Sequence, residues 1–225
     1  MATHNVDLMT SARECLKGRW NLLIRATTIF IFIEICSIFI AWNIDLILPI
    51  TKNTSLFGDF INSLFSIGSF LTFILLTGPL SLGFIYFCRS ISLIEDAKIA
   101  QIFYGYKNIK NSVSIYFLIH LFTILWTLLL IIPGLIAQLS YAMAPFILIE
   151  DTSISPLEAI RKSKKMMDGY KVKLLGLSLR FSLWFIFSIL TFGIGFFWTI
   201  PYFYVSLWKF YEDIKEKAEE EIIVI

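Results

Sequence analysis

Residues 111–149 read NSVSIYFLIHLFTILWTLLLIIPGLIAQLSYAMAPFILI, thirty-nine positions without an Asp, Glu, Lys or Arg and with Pro133-Gly134 near the middle. A straight helix of that length would reach roughly 58 Å at ~1.5 Å per residue, about twice the ~30 Å hydrocarbon core of a bilayer. The stretch must fold back on itself. Proline removes an amide donor and clashes with the preceding turn, and glycine tolerates the backbone of a tight reversal, so the bend is expected at Pro133-Gly134. The legs of this membrane-buried hairpin are then about 113–132 and 135–149. Composition agrees: 57% of the 225 residues are apolar, 16% are charged and the mean hydropathy is +0.77, outside the range of soluble globular chains.

Toward the N-terminus, residues 8–20 read as a surface helix. At 100° per residue Leu8, Met9, Ala12, Cys15 and Leu16 share one face, and Thr10, Arg13, Glu14 and Lys17 the other. Its expected place is the inner headgroup layer. A first span follows over 22–42, containing Arg25 and Glu34. A loop over 43–59, with Pro49 and Lys52-Asn53-Thr54, leads to a second span over 60–87 that Gly78 and Pro79 should kink. Asp96 is placed to cap a short helix with Ile99, Ile102 and Phe103 on its apolar face, ending at Gly105-Tyr106-Lys107.

Beyond the central hairpin, Ser155-Pro156-Leu157-Glu158 is a helix start with a serine cap and proline at the first position. In the helix it opens, Ala159, Ile160, Ser163, Met166 and Met167 lie opposite Glu158, Arg161, Lys162 and Lys165. A fifth span over 172–190 turns at Phe192-Gly193-Ile194-Gly195, and a sixth returns to about 210. The predicted fold is all-α: a polytopic membrane bundle of six transmembrane helices in three hairpins, each preceded by an in-plane amphipathic helix. Residues 1–213 form one membrane domain, and 214–225 a charged cytoplasmic tail.

With six spans and the N-terminus inside, only Lys52 of the 19 Lys and Arg residues falls outside, so both termini are expected in the cytoplasm. The N-terminal segment is not expected to be a cleaved signal, because the apolar run after it has full spanning length. A repeated unit is visible over about 8–96, 97–151 and 153–213. Its marks are Gly18, Gly105 and Gly169, a Gly/Pro break between two spans, and Glu95-Asp96, Glu150-Asp151 and Glu212-Asp213 at the ends; Leu125-Trp126 and Leu183-Trp184 also pair.

Five segments carry a resemblance to a known family. They are Ala12-Arg13-Glu14-Cys15-Leu16-Lys17-Gly18, Gly78-Pro79-Leu80-Ser81-Leu82-Gly83-Phe84, Trp126 through Pro133-Gly134 to Tyr141, Leu157-Glu158-Ala159-Ile160-Arg161-Lys162-Ser163, and Phe210-Tyr211-Glu212-Asp213. Together they resemble the bacterial multi-pass membrane family filed as domain of unknown function 975, itself distantly similar to the membrane portion of some glycerophosphodiester phosphodiesterases. The resemblance implies a bacterial plasma-membrane protein without an assigned activity, and it supplies no catalytic residues.

The residues give no catalytic pattern either. There is no nucleophile elbow, no phosphate loop and no cysteine spacing for a metal; Cys15, Cys36 and Cys88 read as free thiols. No enzyme, metal or cofactor is expected. The informative residues are ionisable ones inside the bilayer, where a charge costs at least ~2.5 kcal/mol without a partner or a route to water. Glu34 and His120 lie sixteen and fifteen residues after the glycines of their units, and Arg180 eleven. The expectation is a buried cluster of Glu34, His120 and Arg180 joining one span from each hairpin, serving as an interhelical polar staple or as a proton or ion relay. Arg161, Lys162, Lys164 and Lys165 should contact anionic headgroups at the cytoplasmic face. The function classes left are a membrane scaffold or accessory protein, engaging lipid, a partner protein or a second copy, and a small transporter centred on Glu34 and His120. Nucleic acid is not an expected partner.

Overall fold

A computed structural model of the chain describes the backbone of residues 4–47 and 56–223, with side chains for 4–40 and 68–218. The expected outer loop at Pro49 and Lys52-Asn53-Thr54 lies outside the described residues. Every regular element among them is helical: α1 (Asn5–Leu16), α2 (Trp20–Ile47), α3 (Leu56–Ser92), a 3-10 helix (Ile99–Asn108), α4 (Ile109–Leu129), α5 (Ile131–Tyr141), α6 (Ala144–Glu150), α7 (Pro156–Met166), α8 (Lys171–Leu190) and α9 (Phe196–Ile223). Five stretches are long and apolar enough to cross a bilayer: Trp20–Ile40, Gly68–Ser92, Ile99–Leu129, Ile131–Glu150 and Lys171–Leu190. The sixth expected span falls on α9, whose first half is rich in Tyr and Trp and whose second half is charged, so its helix is long without being strongly apolar.

One packing rule recurs around the molecule. α2 packs on α3 and α9, α4 on α5 and α3, and α8 on α9 and α5. Taking α2, α4 and α8 as first legs and α3, α5 with α6, and α9 as second legs, each first leg rests on the second leg that follows it and on one other: α9 for α2, α3 for α4 and α5 for α8. The short helices also rest on second legs, the 3-10 helix on α3, α7 on α6 and α5, and α1 on α9, with α7 in contact with the first leg α4 as well. The second legs are therefore central. Their buried share is 56% for α3 and 56% for α5 with α6, against 28%, 11% and 22% for the spans holding α2, α4 and α8.

The centre is filled by rings. Phe84 of α3 stacks on Phe30 at 4.4 Å and meets Tyr204 of α9 edge-on at 5.3 Å. Phe146 of α6 lies 5.6 Å from Trp208 and 5.7 Å from Tyr211, and the Arg89 guanidinium sits 5.8 Å over Trp208. The first legs present leucine, isoleucine and phenylalanine outward, with Leu128 83% and Leu190 72% exposed. Such surface is at equilibrium with lipid tails and needs no protein cover.

Several elements depart from their expected form. The reversal in the central hairpin is at Leu130, which is extended (φ −160°, ψ 146°), three residues before Pro133. Proline lacks a donor that the first helical turn does not use, so Pro133 opens α5 instead of ending α4. Gly134 then lets the legs touch: a Cβ there would lie 2.1 Å from Thr127 Oγ1. The return leg breaks again between Tyr141 and Ala144, ahead of Pro145. Around Gly78 and Pro79 the helix α3 is continuous.

The short helix before α4 has threefold periodicity. Three residues per turn place Ile102 and Gly105 on the buried face and leave Phe103 44% exposed, whereas a 3.6-residue reading paired Phe103 with Ile102. Asp96 does not cap it; it pairs with Lys98 at 3.3 Å, and the Lys98 amide donates to Gln101 Oε1. The expected apolar faces of α1 and α7 are buried, with Leu8, Ala12 and Leu16 in one and Ala159, Ile160 and Ser163 in the other. They face protein instead of lipid, because the second leg of the preceding hairpin lies beneath them. Residues expected as a separate tail continue α9: Ile214 is fully buried and Lys215 reaches Glu150 at 2.7 Å.

Candidate functional site

Glu34 sits on α2 one turn beyond Phe30, whose stacking on Phe84 pins that face of α2 against α3. The Ser81 hydroxyl of α3 lies beside the Glu34 carboxylate and also beside the Tyr116 phenol of α4, so the three polar groups are neighbours. The phenols of Tyr106 and Tyr204 lie within electrostatic reach of the same carboxylate. Five elements thus contribute to the surroundings of one acid.

Backbone contact places this shell. A Cβ on Gly83 would lie 1.8 Å from the Ile102 carbonyl oxygen, and one on Gly105 would lie 2.0 Å from that of Pro79. α3 and the 3-10 helix therefore meet main chain to main chain. The Tyr106 hydroxyl donates to the Leu76 carbonyl at 2.7 Å, on the turn before Pro79, and the Ser112 hydroxyl donates to Gly105 O at 2.7 Å. Gly78, Pro79 and Gly83 bracket Ser81 and hold it where Glu34 and Tyr116 meet.

The expected cluster of three ionisable residues is not formed. His120 is exposed on α4, its Nδ1 2.7 Å from Tyr116 O and its ring 6.2 Å from Phe70. A carbonyl only accepts, so Nδ1 is the donor in this contact. Arg180 is exposed on α8. All three residues belong to first legs, which occupy the outside of the bundle, and α2, α4 and α8 are not principal packing partners of one another. Equal depth gave no common face. Sequence reasoning passed over Ser81, Tyr106, Tyr116 and Tyr204; the signal available was the Gly78 to Gly83 spacing, which marks a close approach centred on Ser81.

The remaining expected residues divide by role. Arg161, Lys162, Lys164 and Lys165 are exposed on α7, while Ser163 between them is buried and donates to Ser140 O at 2.8 Å. Lys162 reaches Glu158 at 3.6 Å and Asp151 at 4.0 Å. Hydrogen bonds from the Ser153 hydroxyl and amide, with Lys162 nearby, hold the Asp151 carboxyl below its ordinary range. Gly193 turns the third hairpin with φ +89°. A Cβ on Gly195 would lie 2.7 Å from Ser188 Cα, as one on Gly134 would lie 2.8 Å from Thr127 Cα. In both hairpins the glycine follows its partner by seven residues.

Near the start of α8, Lys173 meets Asp213 of α9 at 2.5 Å, and Lys217 bonds to the same carboxylate. Glu150 accepts from the Tyr211 hydroxyl at 2.8 Å and from Lys215. Among the described residues no group of three His, Cys, Asp or Glu is arranged to hold a metal.

Residues 127–218 match the family model described as protein of unknown function, DUF975. The match runs from the end of α4 through α9, the part of the molecule containing the seven-residue Thr127/Gly134 and Ser188/Gly195 contacts. That family description assigns no activity, so function has to be argued from the geometry. No curated protein and no solved structure matches the chain, so the expected likeness to phosphodiesterase membrane regions is not shown.

Proposed function

We propose that this is a non-enzymatic scaffold or accessory protein of a bacterial plasma membrane, with both termini cytoplasmic, engaging anionic lipid or a protein partner through its inner face. The observation that carries this is the ring-filled centre, where Phe84, Tyr204, Phe146, Trp208 and Tyr211 occupy the space between the second legs. A filled axis favours a mechanical role over passage. The exposed cations Arg161, Lys162, Lys164 and Lys165 on α7 supply a headgroup-facing surface worth about 1 kcal/mol per cation. The test is proton flux in liposomes carrying the purified chain. Dissipation of an imposed pH gradient should match that of empty liposomes, and flux above that level, abolished by Glu34→Gln, would replace the scaffold with a proton pathway. The second reading is kept because Glu34 has Ser81 and the phenols of Tyr106, Tyr116 and Tyr204 around it.

The reading includes a threefold internal repeat, supported by the common packing rule and by the paired seven-residue glycine contacts. The wheel is closed by α1, which rests on α9; Asn5 Nδ2 donates to Lys173 O at 3.0 Å beside Asp213. A circular permutant that begins at Thr152 and joins the old ends by a flexible linker should fold and melt within a few degrees of the parent. Failure of that permutant to fold would count against equivalent units.

A further inference from the structure

Between α2 and α8, which both rest on α9, lies a cleft of about 210 Å³ lined by Arg13, Trp20, Trp184, Trp198, Thr199 and Tyr202. Three of the chain's 6 tryptophans converge there from three helices. α1 lies along one side, held by the Tyr202 hydroxyl donating to Met9 O at 3.1 Å. Arg13 is exposed and makes no ion pair among the described residues. None of the three indole N–H groups has an acceptor among those residues. Tryptophan and arginine only donate. The lining is therefore rich in unfilled donors around one positive charge, with ring faces as walls.

We infer that this cleft holds the phosphate of one anionic glycerophospholipid, bound by the Arg13 guanidinium and the indole N–H groups, with an acyl chain along Trp184 and Trp198. A guanidinium matches phosphate oxygens as a fork, and charge-assisted bonds of this kind are about twice as strong as neutral ones. The occupant is an amphiphile because the cleft is continuous with lipid-facing surface: Trp184 is 52% exposed, Trp198 45% and Leu183 70%. A water-soluble anion would leave the apolar walls uncovered. This site is separate from the basic face of α7, and it rests on the bundle lying in a bilayer, not on the scaffold reading.

The full chain in mild detergent is examined by native mass spectrometry with phosphatidylglycerol or phosphatidylcholine of identical chains. One phosphatidylglycerol should be retained per chain in preference to phosphatidylcholine. Arg13→Gln should lower its retention about tenfold, a size expected for one lost charge-assisted contact, and Arg13→Lys should keep part of it. Lys110→Gln, which removes an exposed cation of α4 that belongs to neither surface, should leave it unchanged. Equal retention of the two lipids, or full retention by Arg13→Gln, overturns the site. Displacement by inorganic phosphate alone overturns the lipid assignment. A measurement on the unaltered chain stands beside these: phosphatidylglycerol with brominated chains should quench tryptophan fluorescence more than brominated phosphatidylcholine, and equal quenching overturns the proposal.

Discussion

In α2 and α3, and again in α4 and α5, the first and second legs have nearly the same apolar composition and opposite fates. α3, α6 and α9 meet through Phe84, Phe146, Tyr204 and Trp208, whereas α4 and α8 turn leucine and isoleucine to the outside over most of their length. What separates them is the residues that allow close approach. α3 carries Gly78 and Gly83, and α5 carries Gly134, where a Cβ would meet the neighbouring chain. In a bilayer, where apolar faces gain little from meeting each other, small residues and side-chain hydrogen bonds decide which helices become central. Ionisable residues at equal depth on first legs therefore do not converge.

The contrast is broken most directly at the closest of these approaches. Gly83→Ala puts a methyl 1.8 Å from a backbone oxygen, and no side-chain rotation relieves it. We expect a loss of about 3 kcal/mol or more, near the upper end for overpacking, read as a fall in melting temperature and in monodisperse yield. Gly68→Ala on the same helix meets nothing within 4 Å and should stabilise by roughly 0.5–1 kcal/mol. If the two alanines behave alike, close packing does not set the central position of α3.

An effect no larger than that is expected at the ion pair between α8 and α9, where Lys173 and Asp213 side chains are 14% and 10% exposed. Asp213→Ala leaves both Lys173 and Lys217 without their shared carboxylate and should cost about 3 kcal/mol, the lower end for a broken buried pair. Lys173→Ala leaves Asp213 bonded to Lys217 and should cost less than half as much, because one partner remains. Denaturation of both variants under one detergent condition gives the order; a larger loss for Lys173→Ala would show that its contact with the Phe210 ring, 5.4 Å away, is the greater part.

Much of this was legible beforehand. Helical class, the serine cap at Ser155 and the apolar faces of α1 and α7 all follow from periodicity and capping residues, which are local. What those faces meet is not local. The hydroxyl shell around Glu34 was hidden for the same reason: Ser81, Tyr116 and Tyr204 come from three helices, and a tyrosine in an apolar run reads as an interface residue. Gly105 was grouped with Gly18 and Gly169 by its neighbours. Only the latter two adopt φ +76°, while Gly105 serves contact with Pro79, so one sequence mark covers two physical roles.

The outer legs offer the converse test. Arg180→Leu removes a charge from an exposed position and should change stability by less than about 1 kcal/mol, as surface substitutions do. His120→Phe loses the bond to Tyr116 O and should cost about 1 kcal/mol, the net worth of one hydrogen bond. Had the three ionisable groups been joined in the interior, each variant would cost several times more. A loss of that larger size for Arg180→Leu in a thermal melt would return Arg180 to the interior.

The smallest effect lies outside the bilayer, at Asp151. Its carboxyl is held below the ordinary range by Ser153, so the folded state favours the ionised form. The sign follows from linkage: the contribution is fully present above the unfolded carboxylate value of about 3.9 and fades as pH falls through the lower folded value. Ser153→Ala removes the hydroxyl bond but keeps the backbone amide that also donates to Asp151. The Asp151 titration, followed by carbon NMR of the carboxyl, should move up toward its ordinary position without reaching it. Lys162→Gln should move it less, since that charge stands 4.0 Å away and ranks below both Ser153 bonds among the causes. The reverse ranking would mean that the lysines of α7 are drawn toward the protein's own acids, and that α7 offers less free charge to a headgroup surface than its four exposed cations imply.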